Sequence, residues 1–91
     1  PLFTGPVRVD ITVILPRLKA HFNSKGDLKP GAPTWHIAKP DRDNLEKGIL
    51  DKLTQCQVFK DDAQVCAGEV IKRYAGAGEA TGAKINILAL E

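Results

Sequence analysis

Ninety-one residues make one domain with a small core, and a chain of this length often leans on a partner subunit for stability. Lys and Arg number 13 against 11 acids, for a net charge of +2, but the balance is uneven: residues 1 to 40 hold six cations and two acids, residues 41 to 91 seven and nine. The two cysteines, ten positions apart, fit neither a CxxC pair nor a secreted disulfide framework, and no apolar run approaches the ~20 residues of a membrane span.

Cys56 and Cys66 read as half-buried thiols in a reducing cytoplasm. No signal peptide is visible. Methionine is absent, so Pro1 is not an encoded start and the chain reads as a piece of something longer.

Val7, Val9, Ile11, Val13 and Leu15 alternate with Arg8, Asp10, Thr12 and Ile14, which predicts a half-buried strand ending at Pro16. From Arg17 to Pro40 the pattern dissolves into Gly26, Pro30, Gly31 and Pro33, a long structureless stretch of the kind that is functional or disordered. It carries Arg17, Lys19, Lys25, Lys29 and Lys39 against Asp27 alone. A basic loop of this kind binds phosphates with counterion release, or is simply solvated surface.

Leu45, Ile49 and Leu53, with Leu50 beside them, predict a helix over about Asp43 to Gln55. Asp43 and Glu46 have capping-box spacing. Gly48 weakens this helix by about 1 kcal/mol relative to Ala, which points to close backbone packing there. A strand is expected within Gln64 to Tyr74 and another over Lys84 to Leu88, paired as an antiparallel hairpin across the Gly-rich connection from Ala75 to Gly82. Trp35 and Phe59 read as core rather than as base-stacking aromatics. His21 and His36 carry no catalytic signal.

The chemistry concentrates in Lys39-Pro40-Asp41-Arg42-Asp43-Asn44-Leu45-Glu46-Lys47 and Lys60-Asp61-Asp62-Ala63-Gln64. An extended entry to the helix puts Asp41 and Asp43 on one side, and Lys47 lies one turn along from Asp43 on the same face. Asp61 and Asp62 project oppositely at a strand entrance, so one of them can turn toward that cluster. Gathered carboxylates need a compensating cation, and an all-oxygen donor set suits Mg²⁺ better than zinc. The bland alternative makes Asp43 a helix cap, Asp41 a solvated residue and Lys47 an i,i+4 salt-bridge partner. An EF-hand fails, because Leu45, Glu46 and Lys52 occupy positions that need a ligand, Gly and Glu. Ser24, the only serine, has no nucleophile elbow around it.

These two runs, with Gly48-Ile49-Leu50-Asp51-Lys52-Leu53 between them and Val65 after, resemble the signature of the RusA family of Holliday junction resolvases, carried largely by phages and prophages of bacteria. The order and spacing P-D-x-D-N-L-x-K, then D-D-x-Q-V, are matched here. The resemblance implies an α+β fold, a small mixed β-sheet packed against a central helix, in a homodimer. It implies that Asp41, Asp43 and Asp62 are the catalytic, metal-binding carboxylates, with Asp61 a further candidate metal ligand, and that Lys47 is the essential lysine. The resemblance also leads us to expect that the family's usual segment before the first strand is lacking here.

The reaction so implied is Mg²⁺-dependent hydrolysis, with Mn²⁺ substituting, giving paired symmetric nicks in branched four-way DNA during recombination and repair. Its setting would be the host cytoplasm, with no membrane involved. Arg17, Lys19, Lys25, Lys29, Lys39 and Arg42 are the expected DNA contacts. The competing class is a non-catalytic DNA-binding or dimerisation module whose acids only cap a helix.

Overall fold

A computed structural model describes residues 2–91. Its organising element is strand β1, Val7–Leu15. Val7, Val9, Ile11 and Val13 are buried on one face, and the β-branched side chains that alternate there favour a pleated backbone. A strand buried this deeply must satisfy its backbone N–H and C=O groups on both edges. Strand β4, Gly82–Ala89, does so on one side, antiparallel in register from Val7↔Ala89 to Ile14↔Gly82. On the other side run β2, Val65–Ala67, and β3, Val70–Tyr74, both parallel to β1. The sheet is therefore mixed.

That arrangement corrects the expected hairpin. The last two strands flank β1 instead of pairing with each other, because the connection from Ala75 passes the end of β1, where the Ala75 N–H donates to the Leu15 carbonyl at 2.9 Å. The run expected as one strand is also split in two. Gly68, at φ +142°, lies against β1 so closely that a Cβ there would sit 1.8 Å from the Val9 carbonyl oxygen.

Helix α1, Arg42–Gln55, covers the apolar face of β1 with Leu45, Ile49, Leu50 and Leu53. Phe59, fully buried, completes the cluster. Coverage does not extend over β4: Ile85 pairs with the buried Ile11 yet remains 41% exposed. No α1 residue is fully buried, and a Cβ on Gly48 would meet nothing within 4 Å. The close packing expected at Gly48 is thus not made within this chain.

The long loop is ordered rather than structureless. A 3-10 turn spans Lys19–His21, and isolated bridges join Phe22 to Leu28 and Trp35 to Arg73. Buried Tyr74 anchors it, with His21 and His36 edge-on at centroid distances of 4.7 and 5.0 Å. Trp35, expected in the core, is 62% exposed, because Tyr74 and His36 fill the space beneath that segment. Both cysteines are exposed rather than half-buried, Cys56 just past the end of α1 and Cys66 at an irregularity in the β1–β2 register. Among the described residues no helix is long and apolar enough to cross a membrane.

Candidate functional site

Asp41 and Asp43 stand at the entrance of α1. Asp41 occupies the N-cap, but its carboxylate makes no capping hydrogen bond and instead pairs with Lys39 Nζ at 3.1 Å. Asp43 accepts from the Asn44 N–H at 3.0 Å, so the expected Asp43/Glu46 capping box is not formed. The helix begins one residue earlier than its apolar spacing suggests, and the cap position moves to Asp41 with it. Lys47 is exposed and forms no salt bridge among the described residues, so the bland reading of an Asp43–Lys47 ion pair is not realised either.

Asp61 and Asp62 are placed by Gln64. The Gln64 side-chain carbonyl accepts from the Lys60 and Asp61 N–H groups, at 2.8 and 3.0 Å, and its amide donates to the Phe3 and Gly5 carbonyls. Asp61 accepts from the Ala63 N–H at 2.8 Å and caps the 3-10 turn Asp62–Gln64. Asp61 is committed to local structure, whereas Asp62, exposed like Asp61, has no side-chain hydrogen bond among the described residues. It faces an open cleft of about 350 Å³ shared with Asp51, Thr54, Gln55, Lys60 and Asp61, beside the C-terminal half of α1.

The acids are therefore divided between the two ends of one helix. At 1.5 Å per residue, Asp43 lies about 12 to 18 Å along the axis from the Asp51 to Gln55 stretch that borders Asp62. Among the described residues no group of three or more His, Cys, Asp or Glu is close enough to hold a metal ion. The expected convergence of Asp41, Asp43 and Asp62 is not made within one chain. The donors have the hard-oxygen chemistry of a Mg²⁺ site, but one chain alone does not gather them.

The expected DNA contacts fall into two groups. Lys19, Lys25 and Lys29 are exposed and unpaired with any acid among the described residues. Arg42 borders an open polar cleft of about 580 Å³ with Glu46, Glu69 and the backbone at Gly68. Lys39 is held only by its exposed pairing with Asp41, the kind of contact that contributes little. Arg17 differs, since its guanidinium donates to the Ala75 and Pro33 carbonyls and lies 5.2 Å from the centroid of the Tyr74 ring. Those bonds make it a clamp on the loop.

One positioning residue escaped the sequence reading. Lys72, on β3, donates from Nζ to the Ala38 carbonyl at 2.6 Å and the Pro40 carbonyl at 2.7 Å, fixing the chain just ahead of Asp41. Its only sequence signal is a lysine inside an apolar run.

With sheet, helix and acids placed, comparison with known proteins gives the class. The chain matches the family described as endodeoxyribonuclease RusA over residues 1–87, and it belongs to that family. It is 38% identical over 82 residues to the uncharacterized protein YqaN of Bacillus subtilis (strain 168), an alignment covering 81% of this chain and 53% of that protein. The chain thus spans about half the length of this curated relative. No solved structure matches it significantly.

Proposed function

We propose that this chain forms the nuclease unit of a structure-selective endodeoxyribonuclease. It resolves four-way DNA junctions in recombination and repair by Mg²⁺-dependent phosphodiester hydrolysis, with Mn²⁺ as a substitute, in the cytoplasm of a bacterial or phage-infected cell. The observation that carries this reading is the family match across residues 1–87, which includes all the acids discussed above.

Water attacks phosphorus and the bond to the leaving sugar oxygen breaks. A bound divalent ion supplies a lowered water pKa and neutralises charge building on the phosphate. Asp41, Asp43 and Asp62 are the carboxylates that would hold it, and Asp61 keeps Asp62 in place. Lys47, exposed one helical turn beyond Asp43, is free to meet the phosphate directly. Lys39, whose exposed pairing with Asp41 contributes little, joins Lys19, Lys25, Lys29 and Arg42 in contacting neighbouring phosphates without reading sequence.

The divided acids favour a homodimer that completes each site. A two-fold axis crossing α1 near Gly48, where the helix surface is open, runs two helices antiparallel. Asp43 of one protomer then lies level with Leu53 of the other, between the Asp51 and Gln55 that border Asp62. Two such sites, related by the axis, suit the two symmetric cuts a junction requires.

The alternative, a non-catalytic DNA-binding or dimerisation module, draws support from Asp61, whose carboxylate does cap a 3-10 turn. Labelled four-way junction and linear duplex, each incubated with and without Mg²⁺, separate the two readings. Paired symmetric nicks in the junction alone are expected, and Asp43→Asn abolishes them while junction binding persists. Tight junction binding with no cleavage in Mg²⁺ or Mn²⁺ would leave the module.

A further inference from the structure

From Pro33 to Pro40 the chain runs along the outer edge of β3 and is fastened at several points. Trp35 bridges to Arg73, and the Tyr74 N–H donates to the Thr34 carbonyl at 2.9 Å. Arg17 holds the Pro33 carbonyl, and Lys72 holds those of Ala38 and Pro40. Successive side chains of an extended segment point to opposite sides. His36 turns inward against Tyr74, and its neighbours Trp35 and Ile37 are 62% and 94% exposed.

A lone exposed apolar residue is ordinary. Here the backbone beneath the apolar pair is already ordered, so little further freedom is lost when a partner covers it. The segment closes the loop from Arg17 to Pro40, which carries five cations against Asp27 alone, with Lys19, Lys25 and Lys29 unpaired among the described residues, and this excess favours a polyanion over an apolar protein surface. The segment ends on Asp41. At about 3.3 Å per extended residue, Trp35 stands at most ~20 Å from that acid, within the span of a DNA duplex.

We propose that Trp35, flanked by Ile37, stacks on a base exposed at the branch point of a DNA junction and so helps to select branched over linear DNA. This inference rests on the nuclease reading above. In a continuous duplex both faces of every base are stacked, and unstacking must be paid before a side chain can replace a neighbour. At a branch point that cost falls, and one aromatic contact contributes about tenfold to a hundredfold in affinity.

Trp35 is the only tryptophan, so its emission reports on this contact alone. The full chain is titrated, in EDTA, with a four-way junction and with linear duplex of the same composition, binding being followed separately by gel mobility. Saturating junction is expected to quench Trp35 and duplex to leave it nearly unchanged. Trp35→Ala weakens junction binding about tenfold or more and duplex binding less than twofold, while Trp35→Phe keeps most of the difference. Unchanged emission on a saturated junction, or equal losses on both DNAs, would overturn the proposal. So would emission that shifts with protein concentration before any DNA is added, which would mean that a second copy covers this face. Quenching without cleavage in Mg²⁺ would sink the nuclease reading and leave the stacking contact; cleavage without quenching would do the reverse.

Discussion

A glycine between two short strands decides whether β1 can be covered. Gly68 combines φ +142° with a constraint of space, since any side chain there must displace the Val9 backbone. Gly68→Ala adds left-handed strain to that clash and is expected to cost at least ~2 kcal/mol, read as a lower denaturant midpoint. A stability unchanged within ~0.5 kcal/mol would contradict this packing. Gln64 has comparable reach through ordinary hydrogen bonds, tying the N-terminal segment to the turn that carries Asp62. The motif spacing marked Gln64 in the sequence, but only coordinates show which backbone groups it satisfies.

Among the elements, β1 and α1 were legible because their signals are local: two-residue alternation in one, a four-residue apolar repeat in the other. Strand pairing was not, because β3 and β4 look alike in sequence whether they meet each other or flank β1. Trp35 was misplaced for a related reason: hydrophobicity favours burial, but Tyr74 and His36 had already filled the available space. The acids were legible as residues and not as a constellation, since helix length separates what the motif lists side by side.

The turn between β3 and β4 carries a pH dependence of its own. Arg73 donates two hydrogen bonds to Glu79, at 2.6 and 2.9 Å; with the Gly76 N–H and nearby Lys84 they draw the Glu79 carboxyl from its ordinary 4.5 down to about 2. A carboxyl lowered on folding adds stability that is complete above about pH 4.5 and is lost as pH falls toward about 2. Denaturation midpoints should therefore drop over that interval, and Glu79→Gln should flatten the drop. A variant with the same acid profile would show that the pair contributes nothing there. The long loop makes a different prediction, because its lysines are exposed and unpaired. Neutralising Lys19, Lys25 and Lys29 together should lower the salt dependence of DNA binding by about one unit of slope per lysine, and an unchanged slope would remove them from the interface.

At the scale of the whole molecule the chain is drawn out. Its radius of gyration is 16.0 Å, where about 12 Å suits a compact domain of this length. The extents of 51 × 21 × 21 Å fit a body that leaves the open side of α1 and the outer edge of β4 uncovered. A protomer whose acids lie at opposite ends of a helix, with an unpacked glycine between them, suits the proposed homodimer, in which pairing two copies would bring the two halves of each site together without any change in the fold of either.

Mixing two inactive variants tests this most directly. Asp43→Asn and Asp62→Asn are each expected to abolish Mg²⁺-dependent junction cleavage. In a heterodimer of the two, one composite site carries both lesions and the other carries none. Mixed dimers should therefore regain nicking of a single junction strand, whereas sites confined to one chain would leave every mixture as inactive as its parents.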